Sequence, residues 1–305
     1  MKRSLLAKSC PTGNTPRVAS LPITKTPKCY VGGAFIRSES ARVYPIHDQS
    51  GTFFANIPQC TRKDLRNAVE AAAKAGPGWA KRTAYNRGQI IYRLAEMLQP
   101  RSAEMVDALM LHGTTKADAS REVSTTLDRL IHYAGWTDKY AQLLGSVNPV
   151  ASPYFNFTVT EPMGIVGVLA PEEYPLLALV SLVAPAITSG NTVVALVSST
   201  KPYPAILLGE MLATSDLPGG VVNLLTGFRD EILPTMATHA HLRAISGVAT
   251  FEERKAIQVG AAESMKRLRL RRAEDPTDWL ADSAEGLEDI QKLVEFKTTW
   301  HPIGS

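Results

Sequence analysis

The sequence predicts an α/β protein: a doubly wound parallel, Rossmann-like sheet, preceded by a helical layer, with two further strands outside both. Three observations point there. Between Gly164 and Leu270, buried-strand runs alternate with helical runs, the signature of βαβ units. Between Thr61 and Leu144, apolar residues recur at helical spacing. Two further runs, 153–160 and 293–300, read as strands outside both blocks.

In chain order, Cys29-Tyr30-Val31-Gly32-Gly33-Ala34-Phe35 reads as strand, Gly-Gly turn, strand. Thr61, with Asp64 three residues on, has capping-box spacing, and its helix is expected to stop near Ala75, before Gly76-Pro77-Gly78. Ile90, Ile91, Leu94, Met97 and Leu98 share one face of a second helix, ended by Pro100. A third helix covers 102–112, and a fourth, carrying Leu127, Leu130, Ile131 and Tyr133, covers 118–144. In 153–160, Phe155, Phe157 and Val159 form one apolar face, alternating with Tyr154, Asn156, Thr158 and Thr160. Phe296, Thr298 and Trp300 are expected to project likewise from the last strand. Strands at 164–169, 192–197, 220–225, 241–246 and 266–270 alternate with helices at 175–188, 203–214, 229–238 and 250–262. Right-handed crossovers put those helices on both faces of the sheet.

The 305 residues, 45% hydrophobic and 20% charged, suffice for a sizeable core. No run approaches the ~18 apolar residues of a membrane span, so no membrane partner is expected. The net charge of +4 comes from residues 1–28, where Lys2, Arg3, Lys8, Arg17, Lys25 and Lys28 meet no acid. It therefore points to a basic tail and not to a nucleic-acid-binding face. Pro11, Pro16, Pro22 and Pro27 argue against an amphipathic transit helix, so residues 1–28 are expected to be disordered. Three cysteines, Cys10, Cys29 and Cys60, are an odd number without framework spacing; they fit a reducing, cytoplasmic setting.

Three motifs then follow in series. They are Ala170-Pro171-Glu172-Glu173-Tyr174-Pro175-Leu176-Leu177, Ser189-Gly190-Asn191-Thr192-Val193-Val194, and Asp216-Leu217-Pro218-Gly219-Gly220-Val221-Val222-Asn223-Leu224-Leu225-Thr226-Gly227-Phe228. In order and spacing they resemble the coenzyme-binding half of the aldehyde dehydrogenase superfamily, over roughly residues 29–270 and again at 293–301. The resemblance implies an NAD-binding fold and a protruding antiparallel oligomerisation strand pair, a hairpin at 148–162 that builds dimers beside a closing strand at 293–305. It also implies a nucleophilic cysteine after this region, yet every cysteine here lies before residue 61. On this reading 271–292 form a short linker and helix in place of the catalytic domain.

Position by position, the resemblance predicts loss of the chemistry. The family's Pro-Trp-Asn-Phe/Tyr-Pro run gives an oxyanion an asparagine amide. Glu173 stands there, and a carboxylate only accepts hydrogen bonds. Glu172 replaces the tryptophan, near where the cofactor pyrophosphate would lie. As neighbours the two diverge, so they read as a solvated helix start favoured by the helix dipole and not as an acid/base pair. The general-base glutamate falls at Arg271, which stays protonated. The ribose-holding lysine and glutamate fall at Leu196 and Ser199; Lys201 takes the lysine's place only with an insertion. Gly-Phe-Gly becomes Gly227-Phe228-Arg229. The Thr-Gly-Ser helix start becomes Val248-Ala249-Thr250, where Thr250 keeps a hydroxyl cap and Ala249 adds a Cβ. The cofactor set of Glu172, Leu196, Ser199, Gly227, Ala249 and Thr250 is thus vestigial, with no cofactor expected, or NAD bound weakly.

Other chemistry is poorly supported. His239 and His241 lack partners at zinc-site spacing, so no metal is expected. The basic run Lys266, Arg267, Arg269, Arg271, Arg272 lacks interleaved aromatics and is followed by Glu274, Asp275 and Asp278, which fits an exposed strand end. Cys60 precedes a helix start, which can lower a thiol pKa, but it reads as a loop cysteine without a catalytic role. The leading expectation is a non-catalytic subunit that assembles with itself or with a complete aldehyde dehydrogenase. It resembles the shortened, cysteine-free half found in family 16 aldehyde dehydrogenases. An NAD(P)-dependent aldehyde dehydrogenase, alone or completing a partner's site, and a nucleotide-binding sensor without turnover remain open.

Overall fold

The computed structural model describes residues 25–303. The expected disordered tail lies almost wholly outside the described residues, as does Cys10. Strands β1 (Cys29–Val31) and β2 (Ala34–Ile36) form the expected hairpin, closed by Gly32 and Gly33 at φ +63° and +85°. Glycine is required at Gly33 twice over, because an added Cβ would also lie 2.9 Å from Gly219 Cα. A second hairpin, β3 (Val43–His47) and β4 (Phe53–Pro58), was not expected, since Pro45 and Pro58 interrupt its alternation.

The helical layer follows. Helix α1 (Arg62–Ala80) starts with Thr61 and Asp64 in a capping box, as expected, but does not stop at Ala75. It runs through Pro77 because buried Trp79 anchors the final turn, its indole N–H on the Ile187 carbonyl at 3.0 Å. Pro77 removes one hydrogen bond near an end, where the loss is small. Helices α2 (Ala84–Leu98) and α3 (Ser102–Leu111) lie where expected. The fourth is split into α4 (Lys116–Trp136) and α5 (Tyr140–Leu144). The Thr137 hydroxyl bonds the Ala134 carbonyl at 2.9 Å and competes with helix continuation there.

Next come β5 (Ser146–Asn148) and β6 (Tyr154–Pro162), then the α/β series. This comprises β7 (Ile165–Leu169), α6 (Leu177–Thr188), β8 (Thr192–Leu196), α7 (Tyr203–Thr214), β9 (Val222–Leu225), α8 (Arg229–Thr238), β10 (Leu242–Ala249), α9 (Phe251–Ala262) and β11 (Arg267–Arg272). A short helix, α10 (Leu287–Gln291), and strand β12 (Val294–Pro302) complete the described chain. The sheet order is β11-β10-β7-β8-β9-β1-β2. The first five strands are parallel, while β1 and β2 run antiparallel at the edge, so the sheet is mostly and not wholly parallel. Residues alternate between two cores. Val166, Val168, Val193 and Ala195 face α2–α4, α6 and α7, whereas Ile165, Leu169, Val194 and Leu196 face α1, α8 and α9.

The outlying strands form a three-stranded sheet, β12-β6-β5. Its register decides which faces the two aromatic sets take. Trp300 pairs with Asn156, Thr298 with Thr158 and Phe296 with Thr160, and directly paired residues share a face. Trp300 and Phe296 therefore lie opposite Phe155, Phe157 and Val159, and Trp300 packs edge-on to Tyr154 at 5.8 Å. Both faces carry aromatics.

The segment after β11 is not a loose linker. Trp279, Ala284 and Ile290 are buried against α4 and α6. Buried Arg129 donates to the carbonyls of Trp279 (3.1 Å) and Ala284 (2.8 Å) and pairs with Glu285. Tyr133 donates to Asp289 at 3.1 Å, and Arg269 pairs with the same carboxylate.

Candidate functional site

The chain proceeds outward from β7 through β8 to β9, then returns to the other side of β7 as β10. At such a reversal a crevice opens beyond the C-terminal ends of the strands, where doubly wound folds hold ligands. A cavity of about 320 Å³ lies there, lined by Glu172, Glu173, Arg229, Thr250, Glu253 and Trp279 among others.

The structure brings Glu172 and Ser199 together. Glu172 accepts from the backbone N–H groups of Ser199 (3.0 Å) and Thr200 (3.1 Å) and from the hydroxyls of Ser198, Ser199 and Thr200. Burial alone would raise its pKa, but these donors outweigh burial and hold it below the usual carboxylate range. Glu172 is thus no solvated helix start. The start of α6 is served instead by buried Glu122, which accepts from Leu176 N (3.0 Å) and Leu177 N (3.1 Å) while burial raises its pKa. Glu173 is exposed at the cavity wall. Leu196 is buried in the core at the end of β8 and reaches no ligand surface.

The start of α9 is also occupied. Thr250 caps it in a full capping box: its hydroxyl takes Glu253 N at 3.3 Å, and Glu253 Oε2 takes Thr250 N at 2.9 Å. Glu274 accepts from Phe251 N at 2.9 Å. Arg229 donates to Glu253 (3.0 Å), to the Val248 carbonyl (2.8 Å) and to the Ala170 carbonyl (2.5 Å). Ala249 is fully buried beneath this arrangement. Gly227 is held at φ +139°, a conformation that strains other residues, and an added Cβ would also come within 3.2 Å of the Cys60 backbone.

These residues do not suit a dinucleotide. A pyrophosphate needs free N–H groups at a helix start. Those of Thr250, Phe251 and Glu253 are already taken, and four carboxylates, Glu172, Glu173, Glu253 and Asp275, line or edge the cleft. The sequence reading missed Arg229, Glu253 and Glu274 as occupants. The Thr-x-x-Glu spacing of Thr250 and Glu253 was a readable signal; Glu274 is distant in sequence and left none.

The remaining sequence-predicted positions lie in other surroundings. Arg271 lies 4.8 Å above the Trp279 ring as a cation–π pair, and burial lowers its pKa. Cys60 is fully buried, with Sγ 3.2 Å from Cys29 Sγ. Its hydrogen bond with Cys29, and burial, raise its pKa well above the ordinary value, contrary to any lowering by the helix start. The rings of His239 and His241 lie 5.9 Å apart, tilted by 54°, and no group of three metal-binding side chains occurs among the described residues.

Comparison with known proteins agrees with this architecture. The sequence pattern of the aldehyde dehydrogenase family matches residues 35–272. Retinal dehydrogenase 2 of Gallus gallus is 32% identical over 253 residues, which cover 81% of this chain and 48% of that protein. Omega-crystallin of Enteroctopus dofleini is 28% identical over 260 residues, covering 82% and 52%. The NAD+ complex structure of aldehyde dehydrogenase from Bacillus cereus superposes with a TM-score of 0.78 at 25% identity, covering 81% of this chain and 51% of that one. The chain spans about half the length of the relatives it matches, and that half is the coenzyme-binding fold. This chain belongs to the aldehyde dehydrogenase family.

Proposed function

We propose that this chain is a non-catalytic member of the family that acts by assembling, with copies of itself or with a complete aldehyde dehydrogenase. One observation carries the reading. The two places where the family resemblance puts a dinucleotide, the start of α9 and the loop after β8, are filled by carboxylates of the chain itself. A cofactor must displace charge-assisted hydrogen bonds there and meet negative charge, so dinucleotide binding is weak or undetectable. A thiol nucleophile, a general base and an oxyanion donor each supply ~10² or more in rate. Their expected positions offer Glu173, Arg271 and no cysteine after Cys60.

Assembly is supported by the β12-β6-β5 sheet. Its faces expose Phe155, Val159, Phe296 and Trp300, and β12 is an edge strand. Exposed apolar edges are hidden or used by natural proteins. No helix among the described residues is long and apolar enough to cross a membrane, and the cysteine usage supports a cytoplasmic setting.

Calorimetric titration of the purified chain with NAD and NADP, beside an aldehyde turnover assay, tests the reading. The expected result is no turnover and no saturable heat at micromolar cofactor. A micromolar dissociation constant would favour the nucleotide sensor, and turnover by the chain alone would overturn the proposal.

A further inference from the structure

At the opposite end of the parallel sheet lies a second cavity of about 420 Å³, against the N-terminal ends of β7, β8 and β10. It falls in the size range of small-molecule sites, about 300–1,000 Å³. Small side chains of α1 leave it open. A Cβ added at Gly76 would only reach ordinary contact, 3.9 Å from Thr192 Cγ2. Ala80 and Ile165 add apolar wall.

One end of this cavity is basic. His241 and Arg243 line it, and the β10–β11 register, Ala244 opposite Arg267, sets Lys266 beside Arg243. Lys266 is only 7% exposed, and its ammonium group bonds the Ser264 hydroxyl. Burial first, and then the charge of Arg243, lower its pKa; Glu263 attracts it without pairing. His239 is lowered by burial and by His241 and Lys266. Among the described residues, no carboxylate forms an ion pair with Arg243, Lys266, His239 or His241. Most other arginines among the described residues are ion-paired or hydrogen-bonded. In the cavity wall, Thr192 is 1% exposed and its hydroxyl has no hydrogen-bond partner. An apolar chamber with the guanidinium of Arg243, in no ion pair with a described carboxylate, and the His241 imidazole at one exposed end fits a ligand that has an apolar body and one anionic head.

We propose that this cavity binds a small monocarboxylate, with its apolar body against Gly76, Ala80 and Ile165 and its carboxylate on Arg243 and His241. A guanidinium fork matches the two carboxylate oxygens, and an anion there offsets the repulsion between Arg243 and Lys266. The site stands apart from the crevice at the other end of the strands and needs no dinucleotide.

The test is calorimetric titration of the full chain, without NAD, using hexanoate, 1-hexanol and inorganic phosphate. Hexanoate is expected to bind the parent, with hexanol and phosphate at least tenfold weaker. Arg243→Gln should weaken hexanoate tenfold or more, and Arg243→Lys should restore part of the loss. Gly76→Leu, favourable within a helix, should abolish binding while the melting temperature holds or rises. Phosphate as tight as hexanoate would reduce the site to a bare cationic patch and overturn the proposal. So would unchanged affinity in Arg243→Gln and Gly76→Leu, or no hexanoate heat at millimolar concentration.

Discussion

Arg229 Nη1 donates to Glu253 Oε2 at 3.0 Å, and the same guanidinium bonds the carbonyls of Ala170 and Val248. It thereby joins the ends of β7 and β10, the two strands between which the chain order reverses. In doubly wound sheets that crevice opens to ligands. Here one side chain bridges its two walls.

Replacing Arg229 by alanine should cost about 2 kcal/mol, because a charge-assisted hydrogen bond contributes roughly 1.5–3 kcal/mol and two carbonyls lose their donor. Urea unfolding measures it. A loss under about 0.5 kcal/mol would show the bridge to be incidental.

Acid should loosen the Glu172 clamp. The folded-state pKa of this group lies below its ordinary 4.5, so the unfolded chain binds more protons in that range and stability rises with pH there. Its contribution is complete above about pH 5 and fades as pH falls through the lowered value. Stability measured against pH in Glu172→Gln should show a shallower acid slope than the parent; identical slopes would remove the clamp from the account.

Glu122→Ala should destabilise by about 1–3 kcal/mol, since it leaves the buried N–H groups of Leu176 and Leu177 without an acceptor. Glu122→Gln keeps an acceptor and relieves the charge that burial disfavours, so it should cost less. Equal losses in thermal melts would argue against the capping role.

In a Cys10→Ser background, Cys29 and Cys60, at 2% and 0% exposed, should resist thiol reagents until the chain unfolds. Ellman titration is expected to find both thiols only in denaturant. Rapid reaction of either in the native protein would contradict their burial.

Light scattering at micromolar concentration should show an oligomer. Phe157→Asp and Trp300→Asp alter opposite faces of the outlying sheet, so the variant that dissociates identifies the face in use. A stable monomer of the unmodified chain would exclude the homomeric assembly.

Much of the fold was legible because it is written locally. The alternating runs from Gly164 to Leu270, the Thr61–Asp64 box and the Gly32-Gly33 turn each declare themselves within a few residues. Pro77 misled because Trp79 acts through Ile187, distant in sequence. Whether the two aromatic sets of the outlying sheet share a face was not legible, because alternation fixes sides within a strand, while register between strands depends on pairing. At the crevice the residues standing at the motif positions were readable, since identity at a motif position is a local fact. Their contacts were not: Glu172 meets Ser199, and Glu274 meets Phe251, only once the sheet has brought distant loops together.

The pairing of β6 with β12 has a consequence for biogenesis. Thr158 and Thr298, whose hydroxyls meet at 2.9 Å, are 140 residues apart in the chain. During synthesis β6 emerges long before the strand that covers it, and at roughly 5–20 residues per second the wait is about 7–28 s. Throughout that interval a nine-residue strand bearing Phe155, Phe157 and Val159 presents a bare edge. Such an edge can template pairing with another nascent chain, so the yield of correctly folded protein depends on translation speed and on chaperone cover of this one segment.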